Sequence, residues 1–136
     1  IIRKLLKSGE IKKANYLLSR KWEIIGKVIK GSQRGRKIGF PTCNILLKKY
    51  IIPKFGVYAV NVKINNISKK GIANIGYRPT FNGKKLLLEV NIFGIKKNLY
   101  NKIISVVFNK FIRPEKKFKN YLELKNQIKK DIKLAK

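Results

Sequence analysis

Val57-Tyr58-Ala59-Val60-Asn61-Val62-Lys63-Ile64 alternates cleanly. On an extended chain Tyr58, Val60, Val62 and Ile64 fall on one face, and Ala59, Asn61 and Lys63 on the other. Asn65-Asn66 then turns the chain. Further short strands are expected at 23–30, ending at Gly31, and at 71–75, 86–93 and 103–111. Helical periodicity frames this set. Residues 3–8 and 10–20 read as helix, with Gly9 as a break and Ile11, Ala14, Leu17 and Leu18 at helix spacing. After Arg113-Pro114, Tyr121, Leu124, Ile128 and Ile132 form one stripe through the tail. Short strands at near-regular spacing with no helix between them imply a mainly β fold. An antiparallel barrel is expected, one end covered by a C-terminal helix and preceded by a short helical segment.

The whole chain bounds what such a barrel can do. Its 136 residues make one domain, and a 44% hydrophobic share supports a packed core. No apolar run approaches the roughly 18 residues that span a membrane, and no signal peptide is visible, so no membrane association is expected. A single cysteine cannot close an internal disulfide, which favours a reducing, cytoplasmic setting. With no methionine, Ile1 is not a natural start, and the chain is expected to be the C-terminal piece of something longer. The net charge of +28 has two readings. One is a basic β-barrel that binds nucleic acid without catalysis. The other is compositional: 28 lysines against six arginines, scattered over nearly every turn and strand, unlike the arginine and aromatic faces of nucleic-acid readers. The second is preferred, and no specific nucleic-acid partner is expected.

Chemistry concentrates in two places. In Gly39-Phe40-Pro41-Thr42-Cys43-Asn44, Pro41 biases Phe40 towards an extended backbone. If the strand continues, Thr42 and Asn44 share a face, and a hydroxyl beside an amide carbonyl suits a hard cation that already carries phosphates. Just upstream, Gly31-Ser32-Gln33-Arg34-Gly35-Arg36-Lys37 is a basic glycine loop whose N–H groups can wrap phosphate oxygens. In the strand at 86–93, Leu86, Leu88, Val90 and Ile92 make one face, so Leu87, Glu89, Asn91 and Phe93 point the other way. Glu89 is one of six acidic residues and sits mid-strand among apolar neighbours, whereas Glu10, Glu123 and Asp131 are expected on exposed helix faces. Beside a bound triphosphate, Glu89 can act as a general base; otherwise it is a surface glutamate on a solvent face. There is no Walker A ending, no dinucleotide glycine fingerprint and no histidine. Cys43, lacking a histidine partner, reads as a small buried thiol. A phosphotransferase here would need a loop, a metal and a carboxylate.

In order along the chain, Gly26-Lys27-Val28-Ile29-Lys30-Gly31, Gly35-Arg36, Ile38 to Asn44, Gly56-Val57-Tyr58-Ala59-Val60, Asn74-Ile75-Gly76-Tyr77-Arg78-Pro79-Thr80-Phe81, Leu88-Glu89-Val90, Leu99-Tyr100 and Arg113-Pro114-Glu115-Lys116-Lys117-Phe118 make up collinear blocks. Through them the chain resembles riboflavin kinase, and more closely the C-terminal kinase module of the bacterial bifunctional riboflavin kinase/FAD synthetase. The resemblance implies a six-stranded Greek-key barrel at 21–136. Residues 1–20 would be a helical remnant or linker from a preceding adenylyltransferase module. It implies ATP against the 31–39 loop, with Lys30, Gly31, Arg36, Gly39 and Pro41 near it. Thr42 and Asn44 would hold Mg²⁺ with the ATP phosphates. Glu89 would activate the riboflavin 5′-hydroxyl for attack on the γ-phosphate, and Asn91, Arg113 and Phe118 would lie beside it near the flavin. Loops at 31–39 and 94–100 would close over both substrates. The fragment would make FMN but not FAD. Asn91, where many relatives carry histidine, Gly94 in place of a commoner acidic residue, and Cys43 in place of alanine depart from the family's pattern.

Overall fold

The computed structural model describes residues 1–29, 42–47, 53–80, 82–95 and 99–136, and at 79, 80 and 121 the backbone alone. Six strands, β1 (Glu23–Ile29), β2 (Cys43–Leu46), β3 (Gly56–Ile64), β4 (Ile67–Thr80), β5 (Gly83–Ile92) and β6 (Ile103–Arg113), close into a barrel in the order β1-β2-β5-β4-β3-β6. Every neighbouring pair is antiparallel. Strands β3, β4 and β5 follow one another as hairpins, and β6 returns beside β3, which is the Greek-key order. Helices α1 (Ile2–Lys7) and α2 (Ile11–Leu18) precede the barrel, and α3 (Tyr121–Ala135) follows it.

Period-two alternation decides which side chains fill the interior. Tyr58, Val60 and Val62 of β3 are buried, as are Leu86, Leu88, Val90 and Ile92 of β5, both on the faces that the sequence assigns. Tyr58 meets Phe108 and Phe111 edge-on, and its hydroxyl donates to the Lys54 carbonyl. Burial pushes the Tyr58 phenol above its ordinary range. Val57 and Ala59 point outward yet are also buried, because α3 rests on β3, β4 and β6 and covers that wall. Gly56 opens β3 with φ +149°, a backbone that L side chains rarely adopt, and a Cβ there would collide with the Arg113 carbonyl and the Phe111 ring.

Strand β4 is much longer than the expected 71–75. Its first half pairs with β3 and its second with β5, so backbone hydrogen bonding carries polar ends, Ser68-Lys69-Lys70 and Tyr77-Arg78, that show no apolar alternation. The N-terminal helices are built into the core. Leu6, Ile11 and Ala14 are buried, and the Lys54 amide donates to the Leu6 carbonyl at 2.8 Å. Asn15 links the helices to the barrel, donating to the Phe108 carbonyl at 2.9 Å and accepting from the Trp22 amide at 2.7 Å. Among the described residues no helix is long and apolar enough to cross a membrane.

Helix α3 begins at Asn120, whose side chain accepts from the Glu123 amide at 3.0 Å. Leu124, Ile128 and Ile132 are half-buried, as the stripe requires. Asp131 corrects its expected place on the exposed face: only 1% of it is accessible. It lies three residues after Ile128 and seven after Leu124, so helix geometry puts it on the covered stripe, where Arg113 offsets its charge.

Candidate active site

Register assembles the site. Glu89 of β5 stands opposite Asn44 of β2 on one side and Asn74 of β4 on the other. Asn74 stands opposite Val57 of β3, and Val57 opposite Arg113 of β6. Directly opposed residues share a face, and their alternates fill the core, so these five make one outward row around the barrel wall. The segment 114–118 and α3 lie over that row and leave a cavity of about 630 Å³. Thr42, Asn74, Glu89, Asn91, Arg113 and Phe118 all line it.

Five charged residues that line this cavity, Arg78, Glu89, Glu115, Arg113 and Asp131, are tightly paired. The Glu89 carboxylate, on a side chain 20% accessible, accepts from Arg78 Nε at 2.6 Å. Arg78 Nη1 donates to Glu115 Oε1 at 2.9 Å and to the Tyr77 carbonyl at 2.8 Å. The Glu115 carboxylate fills the space where a Cβ on residue 76 would stand, so Gly76 is what lets it approach the sheet. Burial works against the Arg78 cation, but Glu89 and Glu115 outweigh it and hold the guanidinium above its ordinary pKa. Arg113 forms a two-pronged bond to Asp131, Nε to Oδ1 and Nη2 to Oδ2 both at 2.9 Å, while Nη1 donates to the Pro114 carbonyl at 2.9 Å. The Phe118 ring lies 5.9 Å from the Arg113 guanidinium.

Thr42, Glu89, Asn91, Arg113 and Phe118 thus meet on one cavity. Asn44, 4% accessible, flanks Glu89 in the sheet but is not among the cavity's described lining. Lys30, Gly31, Arg36, Gly39 and Pro41 lie outside the described residues. Cys43 faces the core, and burial pushes its thiol up, as suits an unreactive packing residue. Among the described residues no three His, Cys, Asp or Glu side chains cluster as metal ligands. A cation here would rest on neutral oxygens and on the phosphates it carries. Sequence reading passed over Arg78, Glu115 and Asn74. Residues 74, 76 and 78 share the outward parity of one strand, a signal hidden by ending that strand at residue 75.

Fold and site together define a Greek-key barrel domain with a ligand-sized cavity on its outer wall. The riboflavin kinase family (Flavokinase) matches residues 18–136, and the chain belongs to it. Membership makes this a riboflavin kinase domain and leaves the basic nucleic-acid-binding barrel unfavoured. Curated relatives agree. The bifunctional riboflavin kinase/FMN adenylyltransferase of Haemophilus influenzae is 43% identical over 99% of this chain and 44% of its own length. Its Bacillus subtilis counterpart is 44% identical over 96% and 42%. The chain therefore spans less than half the length of these relatives. A structure from Streptococcus pneumoniae named as a macrolide-efflux protein has TM-score 0.90 and 34% identity over 98% of this chain and 44% of that one. Riboflavin kinase from Trypanosoma brucei, with TM-score 0.57 and 22% identity over 83% of this chain and 76% of that one, shares the fold.

Proposed function

We propose that the outer-wall cavity is where the γ-phosphoryl group of ATP passes to the 5′-hydroxyl of riboflavin, with Glu89 as the base. The observation that carries this reading is the convergence of Glu89 with Thr42, Asn91, Arg113 and Phe118 on one ligand-sized cavity. Arg78 occupies Oε1 of Glu89 and fixes the carboxylate, leaving Oε2 to accept the proton of the attacking hydroxyl. Arg113 commits three of its five N–H groups to Asp131 and Pro114, which fixes its plane, so it meets an isoalloxazine ring as an oriented planar cation beside Phe118. Asn91, two residues beyond Glu89 on the same face, extends the flavin-side wall.

The donor set fits Mg²⁺ brought in with ATP. Thr42 and Asn44 offer a hydroxyl and an amide oxygen two residues apart, beside Glu89, and a hard cation that keeps its phosphates needs few protein oxygens. When bound there, the ion offsets phosphate charge. Lys30, Gly31, Arg36, Gly39 and Pro41, which lie outside the described residues, would complete the ATP side. We place residues 1–20 as the connection from a preceding adenylyltransferase module, supported by the bifunctional names of the relatives and by the share of their length that this chain spans. The single cysteine supports a cytoplasmic setting.

Incubating the chain with riboflavin and MgATP, with and without EDTA, and separating the flavins tests this. FMN that EDTA abolishes, with no FAD, is expected. FAD in the same tube would overturn the kinase-only reading. Glu89→Gln should lower turnover by roughly 10²–10⁴-fold while ATP still binds. Near-full activity in that variant removes Glu89 as base.

A further inference from the structure

One polar atom in the cavity wall is left over. The side-chain oxygen of Asn74 is buried, and no donor reaches it among the described residues. A buried acceptor without a donor is costly, and native structures leave few of them, so a partner is to be sought in the working state. Asn74 lines the cavity and stands directly opposite Glu89 in the β4–β5 pairing. Directly opposed side chains leave a sheet about 5 Å apart. Two acceptors side by side, a carboxylate and an amide oxygen, call for two donors at neighbouring positions. Vicinal hydroxyls of a polyol are such a pair, and the ribityl chain of riboflavin carries one at its end: the 5′-hydroxyl and its neighbour at 4′.

We propose that Asn74 accepts a hydrogen bond from the 4′-hydroxyl while Glu89 holds the 5′-hydroxyl, making Asn74 a specificity-determining residue that reads the hydroxyl next to the reacting one. This rests on the reading of Glu89 as the group that receives the 5′-hydroxyl. Asn74 contacts substrate and takes no proton. Its effect is to fix the terminal carbon so that only the 5′-oxygen faces the phosphoryl group. A flavin whose side chain lacks the 4′-hydroxyl leaves the Asn74 oxygen unsatisfied in the closed site. Sites built around a substrate hydroxyl reject analogues without it for this reason.

The test compares kcat/KM for riboflavin, 4′-deoxyriboflavin and 3′-deoxyriboflavin in the unaltered chain and in Asn74→Ala. The unaltered enzyme should disfavour the 4′-deoxy substrate by roughly 10- to 100-fold, the effect of leaving one buried acceptor unpaired. It should treat the 3′-deoxy substrate much more leniently. Asn74→Ala should lose activity on riboflavin and handle riboflavin and 4′-deoxyriboflavin within about twofold of each other. Equal use of the two substrates by the unaltered enzyme overturns the proposal, and so does discrimination that survives in Asn74→Ala. A preference that falls on the 3′-hydroxyl overturns the assignment to 4′. If Asn74→Ala does not fold, Asn74→Leu keeps the volume, removes the acceptor and carries the same expectation. Because the readout is a ratio between substrates on one enzyme, it is separate from the fate of Glu89. An active Glu89→Gln enzyme would remove the base, and the substrate ratio would still decide the role of Asn74.

Discussion

Arg78 holds two carboxylates at once, Glu89 on β5 and Glu115 on the segment that roofs the cavity. Neither bond is deeply buried, so their worth lies in geometry rather than stability. A base left to rotate is rarely in reach of its proton, so with Glu89 as the proposed base Arg78 would act as its positioning residue. Arg78→Gln should lower kcat by roughly 10- to 100-fold with little change in KM for ATP, since the bond removed is one to Glu89 and not to the proposed phosphate-side residues. Arg78→Lys should recover part of it, because an ammonium can engage Glu89 but cannot fork to Glu115 as well. Steady-state kinetics on the three proteins decide the matter, and an unchanged kcat in Arg78→Gln would leave Arg78 a surface ion pair. At this scale the outward placement of Glu89 was legible from strand parity, since its alternates at 86, 88, 90 and 92 had to face the core, whereas its role as base came only with the family resemblance. Arg78 and Asn74 were not, because a lone arginine among 34 basic residues carries no signal until the strand beneath it is known to extend to Thr80.

Between elements, the joint that matters is β6 to α3. Arg113 at the end of β6 and Asp131 in the second half of α3 meet fork to carboxylate, and Gln127 adds a bond to Asp131 Oδ1 at 3.0 Å. The tail helix was legible from its apolar stripe. The burial of Asp131 was not, because an acidic residue reads as solvent-facing unless its position on the 3.6-residue period is weighed above its charge. Removing one partner of a buried pair leaves the other uncompensated. Asp131→Ala should therefore cost about 3–5 kcal/mol, seen as a lower urea midpoint. The double change Arg113→Met with Asp131→Leu should regain most of that stability, since well-packed apolar pairs replace such bridges at little cost. It should nonetheless raise KM for riboflavin, because the planar cation beside Phe118 is gone. A double variant with normal riboflavin KM would show that Arg113 only fastens the helix.

For the molecule as a whole, the barrel order follows from which strands can pair, and hairpin spacing plus alternation made the β class readable. The role of residues 1–20 was less so. Their periodicity marked helices, but periodicity does not say what a helix packs against, and the resemblance cast them as a connection. In the structure Leu6 and Ile11 are about as buried as the barrel's own core, and Asn15 satisfies a carbonyl of β6 and the amide of Trp22. Fully burying side chains of that size is worth about 1.5–3 kcal/mol each, before the hydrogen bonds through Asn15 are counted. Small domains hold only about 5–15 kcal/mol in total. The charge makes the margin narrower, because a net +28 repels itself at low ionic strength. A chain reduced to residues 21–136 should thus unfold at clearly lower urea than the full chain, and the deficit should be widest in dilute buffer. Raising salt to about 0.5 M should stabilise both by screening without closing the gap between them, since lost apolar contact is not restored by counterions. Equal urea midpoints for the two chains would mean that the first twenty residues rest on the barrel without supporting it.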